Sequence, residues 1–333
     1  MKILVVGAGL YGAVLSRALA EQGHEVHIIE KRTHHGGNCY DETNALGIRV
    51  HRYGPHIFHT SNQQVISYVK RFADWTSYRH RVRAQLPDGR LVPLPVNRET
   101  LAAVPESNVL DLLFKPYTKK MWGLSLDELD GSVLARVPID PDAPDDYFPK
   151  DEFVGFPAGG YTAFVGEILR HSNISIALGK AYQRGDEDAY EFCFNAMPID
   201  EFFGFRFGRL PYRSIKFHHV DLPAPRVMAF PVTNFTDDGP MTRVTEWKNF
   251  PGHGGSSSGT TLTFEEPCAD FENGFERYYP VKDRDGKNRS LYRRYQALIP
   301  SRMAFIGRTG LYAYLDMHQA ISSALAQAEN LEA

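Results

Sequence analysis

The sequence has little that would tie it to an oxidising compartment. Its 333 residues contain three cysteines, Cys39, Cys193 and Cys268, scattered and without C-x-x-C spacing. That speaks against a disulfide framework and a cysteine zinc site, and a reducing cytoplasm is the expected setting. No apolar run approaches the ~20 residues of a membrane span. The first apolar stretch, Ile3–Val6, runs straight into glycines and reads as a short strand, not a secretory signal. Charge of one sign is also lacking: 37 basic residues face 40 acidic ones, for a formal net charge of −3. Neither nucleic acid nor an anionic membrane is therefore an expected partner. Internal repeats and low-complexity tails are missing too. What is there, 43% hydrophobic and 23% charged residues, is a globular chain long enough for roughly two domains.

The strongest local pattern is the opening "VVGAGLYGAVLSRALAEQGHEVHIIEKR", residues 5–32. It reads as strand, glycine turn, helix and second strand. Gly7-x-Gly9-x-x-Gly12 allows a tight turn, close approach to a pyrophosphate and close packing of helix on strand. The helix N-terminus then faces the phosphates with unpaired N–H groups. Glu30 ends the second strand, where an acid accepts from ribose hydroxyls. An acid there disfavours a 2′-phosphate and leaves FAD or NAD. Gly36 and Gly37, just beyond, permit a second close backbone approach and tilt the choice to FAD.

Further along, residues 62–75 are expected to be helical, and "HRVRAQLPDGRLVPLPV" to be a hairpin turning at Pro87-Asp88-Gly89. Residues 107–136 carry a weak helical pattern, and the Pro/Asp-rich stretch 137–153 is expected to be an exposed, mobile loop. A helix restarts at "GGYTAFVGEILRH", short strand-like runs fill 172–265, and "HGGSSSG" (253–259) is the clearest flexible stretch. The chain closes with a strand, a glycine turn and a long helix. The expected fold class is α/β: a Rossmann-like FAD-binding domain built from both chain ends, with a reduced helical insertion and a mixed or antiparallel β-sheet substrate domain. The corresponding segments are 1–60 plus 190–215 and 300–333 for the first, 98–136 for the second, and 61–97 plus 137–189 and 216–299 for the third.

Ten stretches, in order along most of the chain, resemble the UDP-galactopyranose mutases. They include "YGPHIFHT" (53–60), "PLPVN" (93–97), "PYTKKMWG" (116–123), "ARVP" (135–138), "GGYT" (159–162), "NFTDDGPMTRVTEWKNF" (234–250), "RYYPV" (277–281) and "FIGRTGLYAYLDM" (305–317). The resemblance implies a redox-neutral reaction on reduced FAD. Flavin N5 attacks the anomeric carbon and displaces the nucleoside diphosphate; the adduct opens, the sugar recloses through another hydroxyl, and the diphosphate returns. The partners implied are a nucleotide sugar (hexose or pentose) and an external reductant such as NAD(P)H, with the chain a monomer or homodimer.

By the same resemblance Arg243 holds the departing diphosphate, and Tyr117, Tyr279 and Tyr314 offer hydroxyl donors to the nucleotide. Trp122 lines the sugar pocket, and His56 sits beside the isoalloxazine. Arg308 lies next to the flavin and favours its anionic reduced form. Asn97, Arg136, Phe153, Arg213, Asn234 and Asp316 fall around the sugar and flavin. The expected cofactor cradle comprises Gly7, Gly9, Leu10, Gly12, Glu30, Lys31, Gly37 and Asn38, joined by His56, Arg308, Tyr314, Leu315 and Asp316. Phe202, Phe203, Phe205 and Phe207 read as packing residues. Of the adjacent Tyr278 and Tyr279 at most one faces the site. The pairs His34–His35 and His218–His219 lack carboxylate spacing, so no metal is expected.

Two departures fall on the nucleotide side. Where the family has a second arginine, four residues after Arg136, this chain has Asp140, and Lys150 is a candidate substitute cation. Only residues 98–115 join "PLPVN" to "PYTKKMWG", which shortens the helical part. Both point to an altered nucleotide or sugar. The competing class is an FAD-dependent oxidoreductase of the amine-oxidase-like type, which shares the opening and closing elements; a third is a nucleotide-binding protein without activity.

Overall fold

The structure, a computed structural model, describes residues 1–125, 127–129, 139–255 and 258–332. The whole "ARVP" stretch (135–138), Arg136 included, therefore lies outside the described residues. Five parallel strands form one sheet in the order Ile174–Leu178, Glu25–Glu30, Lys2–Val6, Phe192–Asn195, Met303–Phe305. The central strand is apolar at nearly every position because both of its faces are covered. Ile3 and Val5 face one core, while Leu4 and Val6 face another, as period-two alternation requires. Helix Leu10–Glu21 packs between the last helix, Met317–Glu332, and helix Tyr161–Leu169. A Cβ on Gly12 would lie 2.1 Å from the Gly7 carbonyl oxygen, so helix and strand approach as closely as glycine allows.

A second sheet of seven strands runs Tyr279–Pro280, Tyr212–Leu222, Thr260–Ala269, Arg243–Glu246, Val232–Phe235, Val82–Gln85, Leu91–Leu94. Its neighbours are antiparallel except Val232–Phe235 beside Val82–Gln85. The hairpin at Pro87–Gly89 forms as expected, with the Gly89 N–H returned to the Leu86 carbonyl at 2.9 Å. A smaller antiparallel sheet joins Phe58–Thr60, Phe153–Pro157 and Trp75–Ser77.

Three sequence expectations change. Helix 62–75 is only Gln63–Val69: Asn62 caps its start, but Trp75 and Thr76 pair with Pro157 and Phe156 in a sheet. Tertiary pairing overrides the local helical pattern there. Strand Ile174–Leu178, placed by sequence with the substrate part, instead edges the parallel sheet, bonded to Glu25–Glu30. Within 107–136 the chain forms short helix Glu106–Val109, a wide π turn over Leu110–Phe114, and helix Lys115–Trp122. Pro116 follows the wide turn and has no N–H to return to Leu112, so the ordinary ladder is interrupted there.

Because the Gly7 carbonyl leaves no room for a methyl group, Gly12→Ala is expected to lower unfolding free energy by about 3 kcal/mol in urea titration. A change under about 0.5 kcal/mol would show that the helix can move off the strand freely.

Candidate active site

The opening turn and the loop after the second strand meet face to face. Gly7 adopts φ +106° and Gly37 φ +57°, and a Cβ on Gly37 would stand 2.9 Å from Gly9 Cα. The Gly36 N–H donates to the Ala8 carbonyl at 2.8 Å, locking the two glycine loops together. Beneath them lies a cavity of about 320 Å³. Of the residues expected in the cofactor cradle, Gly7, Gly9, Leu10, Gly12, Glu30, Lys31, Gly37, Asn38, His56, Arg308 and Leu315 line this cavity; Tyr314 and Asp316 do not. The Glu30 carboxylate accepts from the Ala8 and Arg32 N–H groups, both at 2.8 Å. Tyr182, Phe275 and Arg277 complete the wall from distant loops; no local motif announced them.

The second sheet supplies the other side of the site. Asn234, Arg243 and Glu265 stand opposite one another on three adjacent strands, in one row on one face. Arg243 Nη2 donates to the Tyr117 hydroxyl at 2.7 Å, and Arg243 Nε lies 3.1 Å from Glu265 Oε2. Glu265 is 2% exposed. Burial pushes its carboxyl up while Arg243 pulls it down, leaving it raised. Arg243 is partly buried; desolvation works against its charge, but Glu265 and neighbouring phenols outweigh it and the net direction is up. Asn234 Oδ1 and Glu265 Oε1 are buried with no hydrogen-bond partner among the described residues. Such polar atoms are costly unless a ligand engages them. Sequence reasoning missed Glu265, because only strand register places it beside Arg243.

Aromatic rings bridge the two sides. Trp122 packs on Tyr279 at 5.8 Å, and Tyr279 stacks on Tyr314 at 5.4 Å and 23°. The Arg308 guanidinium lies 5.5 Å from the ring centres of Tyr278, Tyr279 and Tyr314, a cation–π arrangement. It also donates to the Tyr278 and Leu315 carbonyls. Burial pushes the Tyr117 hydroxyl up to about 12 and Tyr279 well above its usual range, so both stay protonated donors at neutral pH. The Tyr278 hydroxyl donates to the Tyr53 carbonyl at 2.7 Å, which leaves Tyr279 as the member of the pair that meets Trp122 and Tyr314.

Other expected site residues take different positions. Arg213 donates to the Lys120 and Met121 carbonyls at 3.0 and 2.9 Å, and so holds the end of the helix that carries Tyr117 and Trp122. Asn97 Oδ1 caps helix Arg98–Ala103 by accepting from Glu99 and Thr100. Phe153 packs on Phe58 and Trp75 at 6.0 and 5.2 Å and belongs to the core; lacking a hydroxyl, it gains more there than at a polar site. Asp316 sits at the start of the last helix, where its carbonyl accepts from Ala320. Asp140 Oδ1 accepts from the Asp142 N–H in an exposed turn. Loop 139–152 is tied down by Arg83, which bonds Asp145 through two nitrogens at 2.6 Å, and by His59, 2.7 Å from Asp151. Tyr147, on that loop, interacts electrostatically with Arg243 and Tyr117, a neighbour the sequence did not flag. His34 bonds the His35 carbonyl and the Tyr53 hydroxyl, and His218 and His219 bond Glu266 and Thr263; among the described residues no metal-type cluster exists.

This is an α/β protein with a Rossmann-like glycine-loop cavity, whose second sheet carries Arg243, Glu265 and Tyr279. Residues 112–314 match the family model "UDP-galactopyranose mutase", and residues 5–72 match an NAD(P)-binding Rossmann-like domain. A UDP-galactopyranose mutase from Mycoplasma pneumoniae is 33% identical over 384 aligned positions, covering 98% of this chain and 95% of that protein. A dTDP-fucopyranose mutase from Escherichia coli is 34% identical over 370, covering 97% and 96%. A solved structure of reduced UDP-galactopyranose mutase superposes with TM-score 0.78 at 16% identity, over 99% of this chain and 95% of that one. The chain belongs to the UDP-galactopyranose mutase family, a family of isomerases.

Two outcomes follow from the buried charges. Burial lowers His56 and His253 to about 4, His80 to about 3, and His51 well below the ordinary range. The folded protein thus binds fewer protons than the unfolded chain below about pH 6.5. Stability is full above that pH and falls as pH drops toward about 4; melting temperature followed from pH 7 to pH 4.5 should decline steadily. Glu265→Gln, which leaves the partly buried Arg243 without its counter-charge, should lower stability by about 2 kcal/mol in denaturant titration.

Proposed function

We propose that this chain interconverts the pyranose and furanose rings of a sugar carried on a nucleoside diphosphate, with reduced FAD as its cofactor. The observation that carries the reading is the partly buried Arg243, braced by Glu265 and bonded to Tyr117, on a face that also bears the Trp122–Tyr279–Tyr314 stack. A leaving diphosphate needs a fixed cation and donors where its charge develops, and it must stay within reach for recapture. Arg243 and the phenols of Tyr117 and Tyr279 serve that need; Trp122 gives the sugar an apolar wall.

The cavity under Gly7, Gly9 and Gly37 fits a dinucleotide: its two glycine loops leave no Cβ between backbone and ligand, and Glu30 stands where ribose hydroxyls are read. A flavin held there supplies, in its reduced form, the nucleophilic ring nitrogen for the anomeric carbon. Arg308 holds positive charge on that side, and neutral His56 lines the same cavity. Electrons supplied once, by NAD(P)H or another donor, suffice, because the ring exchange is redox-neutral. The nucleoside and sugar are two arms of the test, since relatives named for UDP-galactopyranose and for dTDP-fucopyranose are equally similar. The oxidoreductase alternative rests on fold alone: a putrescine oxidase superposes at TM-score 0.59 with 13% identity.

Dithionite-reduced enzyme incubated with UDP-galactose and with dTDP-fucose, and followed by chromatography, should form the furanose of at least one without consuming an electron acceptor. Arg243→Ala should slow that turnover by about 10²–10³-fold. No ring exchange with any nucleotide hexose or pentose would reject the proposal.

A further inference from the structure

Outside the site just described, the described residues hold a second polar chain, made of three imidazoles. His51, 0% exposed, and His253, 2% exposed, place their Nε2 atoms 2.9 Å apart. Trp247, Phe156 and Tyr161 surround His51, and Trp247, Phe156 and Phe250 surround His253; Arg49 acts on both rings and Asp41 on His253, but burial outweighs them and both imidazoles stay neutral. At one end, His253 Nδ1 lies 2.9 Å from the Pro251 carbonyl, which only accepts. His253 must therefore carry its proton on Nδ1 and offer Nε2 as an acceptor. At the other end, the His56 backbone N–H donates to His51 Nδ1 at 3.0 Å. His51 Nδ1 must then be bare, so the proton of His51 sits on Nε2. Both ends independently require the same central bond, with His51 Nε2–H donating to His253 Nε2. Beyond His51, His56 Nδ1 is 2.8 Å from the Gly54 carbonyl and must donate to it. The remaining ring nitrogen of His56, Nε2, is left as an acceptor on a side chain that lines the dinucleotide cavity.

We propose that His253 is a positioning residue for the reaction: through His51 it fixes the backbone and tautomer of His56, so that the cavity meets a hydrogen-bond acceptor there. His253 lies in the segment "PGHGG", which otherwise touches neither cradle nor sugar face. If His51 lost its acceptor it could take the other tautomer, whose Nδ1–H would point at the His56 N–H. Two donors would then oppose each other in a dry shell, and the 53–57 turn would have to shift. This inference rests on the flavin-dependent function proposed above only for its effect on turnover; the proton positions stand without it.

The test is nitrogen-15 NMR of histidine-labelled, flavin-loaded protein at pH 7. The wild type should show the proton on Nε2 of His51 and on Nδ1 of both His253 and His56. His253→Leu, which keeps bulk but removes the acceptor, should mix the tautomers of His51 and His56. It should also lower kcat by about 10-fold with KM changed less than about 3-fold. His253→Gln, whose amide oxygen can accept the same hydrogen, should restore the His56 tautomer and most of kcat. A wild-type His51 carrying its proton on Nδ1 would overturn the proposal, whether or not either variant folds. So would a folded His253→Leu with an unchanged His56 tautomer, or equal losses in His253→Leu and His253→Gln. Should the wild type turn over no sugar at all, the proposed function fails while the NMR spectra still decide this point.

Discussion

The site depends on one cross-strand ion pair. Arg243 and Glu265 face each other in register on antiparallel strands, at 3.1 Å, with the carboxylate almost wholly excluded from water. A buried pair of this kind does not stabilise the fold by much, because desolvation offsets most of the attraction. Its effect is geometric. The guanidinium cannot swing away without leaving a bare charge in the sheet, so it stays where Tyr117 meets it. Arg213 extends the same logic: it spends its donors on the last carbonyls of helix Lys115–Trp122, and so fixes the element that delivers Tyr117 and Trp122. Three strands and one short helix thereby converge on a rigid, positively charged face.

The cradle is built by a different principle. There, what matters is the absence of side chains: Gly7, Gly12 and Gly37 let the backbone turns and a helix come together at distances that a Cβ would block. Charged side chains line it as well, among them Glu30, Lys31, Arg277 and Arg308. The two halves meet along Arg308 and the tyrosines stacked around it, and His56 stands at the same junction.

Much of this was legible in the sequence, and the reasons for the remainder are physical. The cradle could be read because its determinants are local: glycine spacing, strand, helix and acid follow one another within about thirty residues. Arg243, Tyr117 and Trp122 were found through short motifs that resemble a family, not through periodicity. Glu265 was invisible, because its place beside Arg243 comes from register between strands joined through a long loop. Of Asn97 and Phe153, expected at the substrate, one caps a helix and the other packs against the core, roles that only tertiary neighbours reveal. Trp75 and Thr76 left the expected helix for the same cause. His51 and His253 are some 200 residues apart (|i−j| = 202), and nothing in either neighbourhood signals that they touch.

The parallel sheet draws its strands from residues 2–6, 25–30, 174–178, 192–195 and 303–305. On the ribosome, the first two strands emerge early but find their inner neighbour only after nearly two hundred residues have been made, and the last strand near the very end. Until then the glycine turn has a helix on one side and an unpaired strand edge on the other. Such long-range closure makes for slow folding and an exposed, sticky intermediate. A dinucleotide that binds the finished cradle would trap the completed form as soon as it appears, so cofactor supply during synthesis should govern how much of the protein reaches its native state.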